Sequence, residues 1–322
     1  MSVKFTIVIP TYNGAEYVEA ALQSAINQTL KADAIIVSDD NSIDNTLEIC
    51  SRYKEHIQIY QNENGPSGFV EGWNNAISLV EDGYIAILHQ DDLLAPTFLE
   101  EAEKALSKHP EVKHFFVPCN YIDGDGTIKR EPNYCDGNIH RYSGIEYADA
   151  YRAIGKPHIH RCPGVITHRS IFDVCKYRKE AGHIADDDFF YRVGQYTDVV
   201  GVLKPLASYR IHEKSETGHL ENIKLVTRLA NDYIYQVEQS PANSCVSKAT
   251  RAYFDYWASY YTFQEFVHAI IHNDNDLYEL SMLHKNRLKT LHVNIRFKER
   301  IIYGMNRLFG RKFTRMLLKA LI

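Results

Sequence analysis

Tyr84-Ile85-Ala86-Ile87-Leu88-His89-Gln90-Asp91-Asp92 runs five apolar or aromatic residues, through His89 and Gln90, into two adjacent carboxylates. Gly83 precedes the run. A short apolar stretch bounded in this way reads as a strand buried on both faces. Open α/β sheets place their ligands at the C-terminal ends of such strands. Two adjacent carboxylates repel each other and resist desolvation unless a cation lies beside them. Hard divalent cations such as Mg²⁺ or Mn²⁺ suit that role, with substrate phosphates completing the shell. The plainer reading is that Asp91 and Asp92 merely begin the loop before a helix at Pro96. One Asp-Asp pair does not decide between them; the rest of the chain does.

Outward from this strand, the first half alternates strands and helices. Phe5-Thr6-Ile7-Val8-Ile9 is a strand that Pro10 should stop, since proline cannot donate to the ladder. Asn13 and Glu16 resemble a capping box, followed by Val18, Ala21, Leu22 and Ala25 at helical spacing. Ala34–Val37 is the next buried strand and ends in Ser38-Asp39-Asp40-Asn41-Ser42. Asp44 and Thr46 open a helix to about Tyr53, and Ile57–Tyr60 is a third strand. The loop Asn64-Gly65-Pro66-Ser67-Gly68 then leads to a helix near Val70–Val80. Such alternation with short loops predicts an α/β fold, a mostly parallel Rossmann-like sheet with helices on both faces. Dinucleotide binding would need G-x-G-x-x-G in the first turn, where the chain has Pro10-Thr11-Tyr12-Asn13-Gly14-Ala15. No P-loop follows any strand. Nicotinamide chemistry and ATP hydrolysis are thereby disfavoured.

The chain has 322 residues, enough for one large domain or two moderate ones. Its net charge of -5 offers no bulk attraction to nucleic acid. The six cysteines are scattered without a C-x-x-C pair, which argues against a zinc ribbon or disulfide scaffold and fits a reducing cytoplasm. The start, Met-Ser-Val-Lys, lacks the apolar core of a signal peptide. No apolar run approaches the roughly 20 residues that span a bilayer.

Three segments at successive strand ends resemble the family 2 glycosyltransferases of GT-A fold. They are Ile9-Pro10-Thr11-Tyr12-Asn13, Ser38-Asp39-Asp40-Asn41-Ser42-Ile43-Asp44-Asn45-Thr46 and Leu88-His89-Gln90-Asp91-Asp92. The family pattern is roughly P-x-Y-N, D-D-x-S-x-D-x-T and D-x-D-D. Gly68-Phe69-Val70-Glu71-Gly72-Trp73-Asn74 is similar to its G-x-x-x-A-R-N segment, with Trp73 where a basic residue is usual. His89 stands where many members carry the first carboxylate of D-x-D. The resemblance implies an inverting transfer of sugar from a nucleotide-diphosphate sugar, a UDP-sugar, to a saccharide or lipid-linked saccharide of a bacterial surface polymer. It implies Mg²⁺ or Mn²⁺ on Asp92, acting as a Lewis acid on the leaving diphosphate. Asp91 would lie near the ribose or the metal shell, and Asp40 would accept from the uracil imide. Thr11 and Tyr12 would line the base pocket, which Pro10, Asn13, Gly68, Asn74 and Gln90 complete. For Asp39 and Asp40 the alternative is an Asx-turn and helix cap.

Further along, Pro96–Ser107 is an amphipathic helix and His114–Val117 a strand. Tyr121-Ile122-Asp123-Gly124-Asp125-Gly126-Thr127-Ile128 lacks the sixth-position Gly and twelfth-position carboxylate of an EF-hand loop. Its Asp-Gly steps read instead as a hairpin turn. Lys129–Tyr142 reads as an irregular loop over the acceptor side. In Gly182-His183-Ile184-Ala185-Asp186-Asp187-Asp188-Phe189-Phe190 the carboxylates could serve only the helix dipole. By the resemblance the catalytic base is Asp186, within one residue along the triplet, and Asp187 or Asp188 would be the helix N-cap. A base must take the proton of the attacking acceptor hydroxyl. Ala207–Ser215 resembles the family's Y-R-x-H-x-x-S segment, making His212 a third metal ligand, a diphosphate contact or a structural histidine, and Arg210 a phosphate partner. His158 and His160 lack metal-ligand spacing.

After Gly218 strand signals stop. The division expected is 1–217, nucleotide-sugar-binding and catalytic, and 218–322, a helical C-terminal region. Helices are read at Glu221–Val237, Val246–His272 and Asp276–Lys289. Arg296–Ile322 holds eight Lys or Arg against Glu299 alone, interleaved with apolar residues near helical spacing. That pattern fits peripheral contact with an anionic membrane, or equally a helix packed on the protein's own core. The location expected is cytoplasmic, free or on the inner face of the cytoplasmic membrane. Rival functions are a sugar-1-phosphate nucleotidyltransferase, whose glycine-rich signature is absent, and a non-catalytic nucleotide-sugar-binding protein, which would not need Asp186.

Overall fold

A computed structural model describes residues 3–153, 158–212, 223–240 and 248–321. Two compact units divide the chain, Met1–Lys179 with Asp186–Lys214, and Glu180–Ala185 with Ser215–Ile322.

The first unit opens with β1 (Phe5–Thr11), α1 (Val18–Ile26), β2 (Ala34–Asp39), α2 (Thr46–Ser51), β3 (Gln58–Gln61), α3 (Phe69–Ser78) and β4 (Tyr84–Ile87). It continues through β5 (Leu93–Leu94), α4 (Phe98–Lys108), β6 (His114–Phe116), β7 (Cys119–Ile122), β8 (Ile128–Arg130) and β9 (Ile139–Tyr142). α5 (Gly144–Tyr151), β10 (Val165–His168), α6 (Ala185–Val193), β11 (Val199–Val202) and β12 (Ala207–Arg210) complete it. The main sheet has the order β3-β2-β1-β4-β10-β6-β11-β9. Its first four strands are parallel, and β10 then enters antiparallel to both β4 and β6. A smaller sheet, β5-β12-β7-β8, stands beside it.

β4 is central because its sequence lets it be. Ile85, Ala86 and Ile87 are all at most 2% exposed, and Ala86 and Leu88 join Ile7, Ile9 and Val37 against Leu22, Phe98 and Leu99. An apolar run without alternation suits a strand covered on both faces. β1, β2 and β4 therefore deliver their C-terminal loops to one edge of the sheet.

Several local expectations are corrected. Pro10 lies inside β1, opposite Ser38 of β2. Val8 O accepts from Leu88 N, so alternation aims the missing Pro10 donor at the same side, beyond the last paired residue of β4. α1 begins at Val18 without a side-chain cap. Asn13 sits at φ 48° and its Oδ1 accepts instead from Ile43 N at 2.9 Å. Lys129–Tyr142 is not wholly irregular: Lys129 and Arg130 belong to β8, and β9 pairs with β11 at the sheet edge. The Asp-Gly segment is a hairpin turn, joining β7 to antiparallel β8.

The second unit contains α7 (Ile223–Gln239), α8 (Lys248–His272), α9 (Asn275–Thr290) and α10 (Phe297–Leu321). The expected starts at Glu221 and Val246 lie outside the described residues, as do Gly218, Ser215 and Cys245. The aromatic stripe of α8 is largely core: Tyr253, Phe254 and Phe266 are buried, and Tyr233 of α7 stacks on Trp257 and Tyr261. α10 turns Glu299, Tyr303, Thr314 and Leu318 inward and is broken at Gly310, φ 77°. Phe297, Ile301, Leu308 and Phe309 before that break and Met316 after it are exposed beside basic residues. Among the described residues no helix is long and apolar enough to cross a membrane.

Candidate active site

The loops after β1, β2 and β4 are tied together by side chains that replace missing backbone partners. Gln90 grips Tyr12 at both ends: Tyr12 N donates to its Oε1 at 2.9 Å and its Nε2 donates to Tyr12 O at 3.1 Å. A Cβ at Gly14 would lie 2.1 Å from Gln90 Oε1, so glycine leaves the amide its place against Tyr12. Asn13 N donates to Ser42 Oγ at 2.9 Å, so the first loop is fastened to the second. Tyr12 is left 43% exposed beside these loops, and an exposed aromatic can stack on a flat ligand.

The other expected pocket residues are more committed. Thr11 Oγ1 donates to buried Asp39 at 3.0 Å, and Asp39 also receives Ser42 N and Oγ three residues on, so its carboxylate holds the loop after β2. Asp40 accepts four bonds: from Asn62 Nδ2 (2.8 Å), Ser67 N (2.7 Å), Ser67 Oγ (2.9 Å) and Gly68 N (3.1 Å). That fills the acceptor capacity of one carboxylate, so a uracil imide could be read only by displacing one of these donors. In this structure Asp40 shapes the Gly-rich loop. Gly68, at φ 89°, turns that loop into α3. Asn74 Nδ2 donates to Tyr177 O at 3.0 Å.

At the end of β4 the two carboxylates part ways. Asp92 is 1% exposed; its Oδ1 accepts from Arg210 N at 2.8 Å, and its Oδ2 has no hydrogen-bond partner. Burial, then the charge of Asp91, push Asp92 well above the usual carboxylate range. Burial also acts on Asp91, but the hydrogen bond with His212 Nε2 at 3.1 Å and the charge of His89 outweigh it and hold Asp91 low. The Asp91-Asp92 and Tyr209-Arg210-Ile211-His212 segments therefore meet. The orphaned buried oxygen of Asp92 is a hard donor of the kind Mg²⁺ or Mn²⁺ takes, while Asp91 and His212 beside it are engaged with each other. Among the described residues no three acidic, His or Cys side chains form a cage by themselves, so the rest of the shell is left to substrate oxygens and water. Arg210 is a clamp: it donates to the main-chain oxygens of Asp91, Asp123 and Gly124 and lies 4.8 Å over the Tyr17 ring.

The two departures from the family pattern touch each other. Trp73 stacks on His89 with centroids 4.9 Å apart and planes at 17°. His89 Nε2 in turn lies 3.4 Å from Cys162 Sγ, and its Nδ1 3.7 Å from Asp92 Oδ2.

The structure separates the three carboxylates that open α6. Asp188 is bound by Arg192 through Nε (2.8 Å) and Nη2 (2.5 Å). Asp187 receives Tyr151 OH at 2.5 Å and pairs with buried Arg152 at 3.4 Å. Burial would raise Asp187, yet Arg152, His158 and Arg161 bring it down to about 2. Asp186 accepts from Asp187 N at 2.8 Å, and burial followed by the charge of Asp187 pushes it up to about 7. Cys162 is held far above its usual thiol range by burial, then by Asp186, then by Asp92. One thiol thus feels the charge of both Asp186 and Asp92.

Tyr151, Arg152, His158, Arg161 and Cys162 did not emerge from the sequence as site residues. A signal for α5 was present in Ser143 and Glu146, which form a complete capping box. No motif marks Arg161 or Cys162. His160, buried between Tyr147 and Tyr151, hydrogen-bonds Tyr147 OH at 2.6 Å and belongs to the core.

A family model described as "Glycosyl transferase family 2" matches residues 6–174. An uncharacterized glycosyltransferase of Rickettsia prowazekii is 28% identical over 213 residues, spanning 66% of this chain; the chain spans 65% of that relative's length. Among solved structures, S. aureus TarS 1–349 in complex with UDP-GlcNAc superposes with TM-score 0.63 at 13% identity, covering 99% of this chain and 91% of that one. The mannosyltransferase PcManGT from Pyrobaculum calidifontis, in complex with GDP-Man and Mn²⁺, gives TM-score 0.58 at 14% identity, covering 99% and 85%. These likenesses show a shared fold, the GT-A architecture.

Proposed function

Because the chain belongs to glycosyl transferase family 2, we propose that it transfers a glycosyl group, with inversion, from a nucleoside-diphosphate sugar to a saccharide hydroxyl. The single observation that carries this reading is Asp186: its carboxyl is pushed up to about 7 while Asp187 and Asp188 are locked in ion pairs. A general base works best with a pKa near the working pH. The acceptor hydroxyl would attack the anomeric carbon from the face opposite the diphosphate. The new C–O bond forms as the old one breaks, the proton passes to Asp186, and the nucleoside diphosphate departs.

Asp92 Oδ2, with Asp91 and His212, would hold Mg²⁺ or Mn²⁺. Such an ion, when bound, supplies Lewis-acid stabilisation of the charge gathering on the leaving diphosphate. Tyr12 would stack on the base, with Gln90, Asn13, Thr11 and Pro10 holding its loop, and Asp40, Gly68 and Asn74 would shape the opposite wall. UDP is the expected nucleotide, supported by the UDP-GlcNAc held by the TarS neighbour. A lipid-linked or surface-polysaccharide acceptor is expected at an anionic bilayer surface. Supporting that, the exposed row Phe297, Ile301, Leu308, Phe309 and Met316 is flanked by exposed Lys298, Arg300, Arg307, Lys312 and Lys319.

A panel of nucleotide sugars incubated with the full chain and Mn²⁺, followed by nucleotide release, tests the reaction. Metal-dependent release from a UDP-sugar is expected. Release from none of the panel, with or without saccharide acceptors, would overturn the proposal.

A further inference from the structure

Beyond the donor pocket, two arginines lie on one tyrosine, and among the described residues neither has a carboxylate within ion-pair distance. Tyr121 of β7 and Tyr209 of β12 are register partners, their rings 5.8 Å apart at 80°. Arg161 donates through Nε to Tyr121 OH at 2.9 Å and through Nη1 to His158 Nδ1 at 3.2 Å. Its guanidinium carbon is 5.8 Å from both ring centroids. Arg130 covers the Tyr121 ring at 3.8 Å from the centroid. Nearby Arg152, Arg192 and Lys129 each pair with a carboxylate. Among the described residues neither Arg161 nor Arg130 has one within ion-pair distance.

The placement matters as much as the charge. Arg161 is close enough to Asp186 and Asp187 to lower both carboxyls. Along β12 Tyr209 and Arg210 point to opposite faces. The Arg161–Tyr121–Tyr209–Arg130 cluster therefore lies across the small sheet from the Arg210–Tyr17–His212 group that adjoins Asp91. Through His158, whose Nδ1 lies 3.2 Å from Arg161 Nη1 and 3.7 Å from Asp187 Oδ1, the cluster adjoins the residue next to the proposed base. A planar guanidinium matches the two oxygens of a carboxylate or phosphate, and aromatic faces accept the C–H face of a sugar ring.

We infer that Arg161 and Arg130, mounted on the Tyr121–Tyr209 platform, form an acceptor subsite for a sugar bearing an oxyanion, either a carboxylate or a phosphate ester. This rests on the transferase reading above and narrows its acceptor class. The oxyanion takes the guanidinium donors left over after Tyr121 and His158, and the sugar ring lies against the tyrosines with a hydroxyl directed to Asp186.

The test is calorimetry on the full chain with UDP and Mn²⁺ at saturation, so that the donor site is filled. Methyl glucoside, methyl glucuronide and glucose 6-phosphate are titrated separately. The charged pair should bind about tenfold or more tightly than the neutral sugar, the size of one or two charge-assisted hydrogen bonds. The tighter of the two charged sugars identifies carboxylate or phosphate as the source. Arg130→Gln, at an exposed position, should remove most of that preference, and Arg161→Gln should remove it entirely. Equal binding of all three sugars overturns the inference, and so does a preference that survives Arg130→Gln. If UDP itself does not bind, the donor reading fails instead, and the same three titrations without UDP still decide the subsite.

Discussion

Asp186 and Asp187 are neighbours joined by a hydrogen bond, and their carboxyls are driven in opposite directions, up to about 7 and down to about 2. The lower one is fixed by Arg152 and Tyr151; its charge is part of what keeps the upper one protonatable near neutrality. Two carboxylates whose surroundings part their pKa values are a recurrent way of making one of them an acid–base group.

Asp186→Asn keeps the size and the hydrogen bond from Asp187 N but removes proton acceptance. Transfer should fall by about 100-fold or more, the usual contribution of a general base, while UDP affinity is retained. In the parent protein kcat should rise with pH up to about 7 and level off above it, since the base works only when ionised. A pH-independent kcat across that range, or near-parental turnover of the variant, would move the role to another residue.

The same substitution should stabilise the protein, in one pH range only. A carboxyl with a folded pKa of about 7 prefers its proton more in the fold than in the unfolded chain. Its penalty is absent below roughly pH 4, grows as pH rises toward 7, and is complete above that. Asp186→Asn removes the penalty, by at most roughly 4 kcal/mol at about 1.4 kcal/mol per pKa unit. Urea unfolding at pH 8 should show the gain and at pH 4 should not; a gain of equal size at both would contradict the assignment.

Asp92→Ala removes the orphaned oxygen and the acceptor for Arg210 N. Metal-dependent UDP binding and transfer should both disappear. Calorimetry returning the parental UDP affinity in Mn²⁺ and in its absence would rule Asp92 out as a ligand.

Gln90→Ala and Gly14→Ala should have the same consequence. The first deletes the amide that grips Tyr12; the second drives a methyl group into it. Each should weaken UDP binding by roughly tenfold, about 1.4 kcal/mol. The double variant should lose little more than either single one, because both break one interaction. Fully additive losses would show that the two residues act separately.

Liposome sedimentation reads the outer face of α10. Full-length protein should sediment with anionic vesicles at low salt. Leu308→Ser with Phe309→Ser, both at exposed positions, should abolish this while transfer to a soluble acceptor continues. Indifference of the full-length protein to such vesicles would leave the exposed row for another partner.

Much of the first unit was legible because buried parallel strands are apolar throughout and their ends carry chemistry. Tyr84–Asp92 showed both at once. Loop conformation was less legible: Asn13 and Glu16 spell a capping box, yet Asn13 adopts φ 48° because Ser42 and Ile43 offer it partners 29 and 30 residues away. Pro10 failed as a stop signal because the neighbouring strand ends first. The acidic triplet could be located but not fully apportioned: Arg192, four residues after Asp188 on the same helix, was in view, but Tyr151 and Arg152, which fix Asp187, come from α5 and its C-terminal end. Arg161 carries no motif; only the pairing of β7 with β12 brings it to two tyrosines.

The Gln90 amide has a thermodynamic consequence. Gln90 is held to the Tyr12 main chain and is joined covalently to Asp91, so the two ends of the ligand pocket share one lever. If stacking a base on Tyr12 shifts that lever, the cation affinity at Asp91 and Asp92 changes by some factor. Reciprocity then obliges the cation to change base affinity by that same factor. A mononucleoside with no phosphate would therefore sense the metal without ever meeting it.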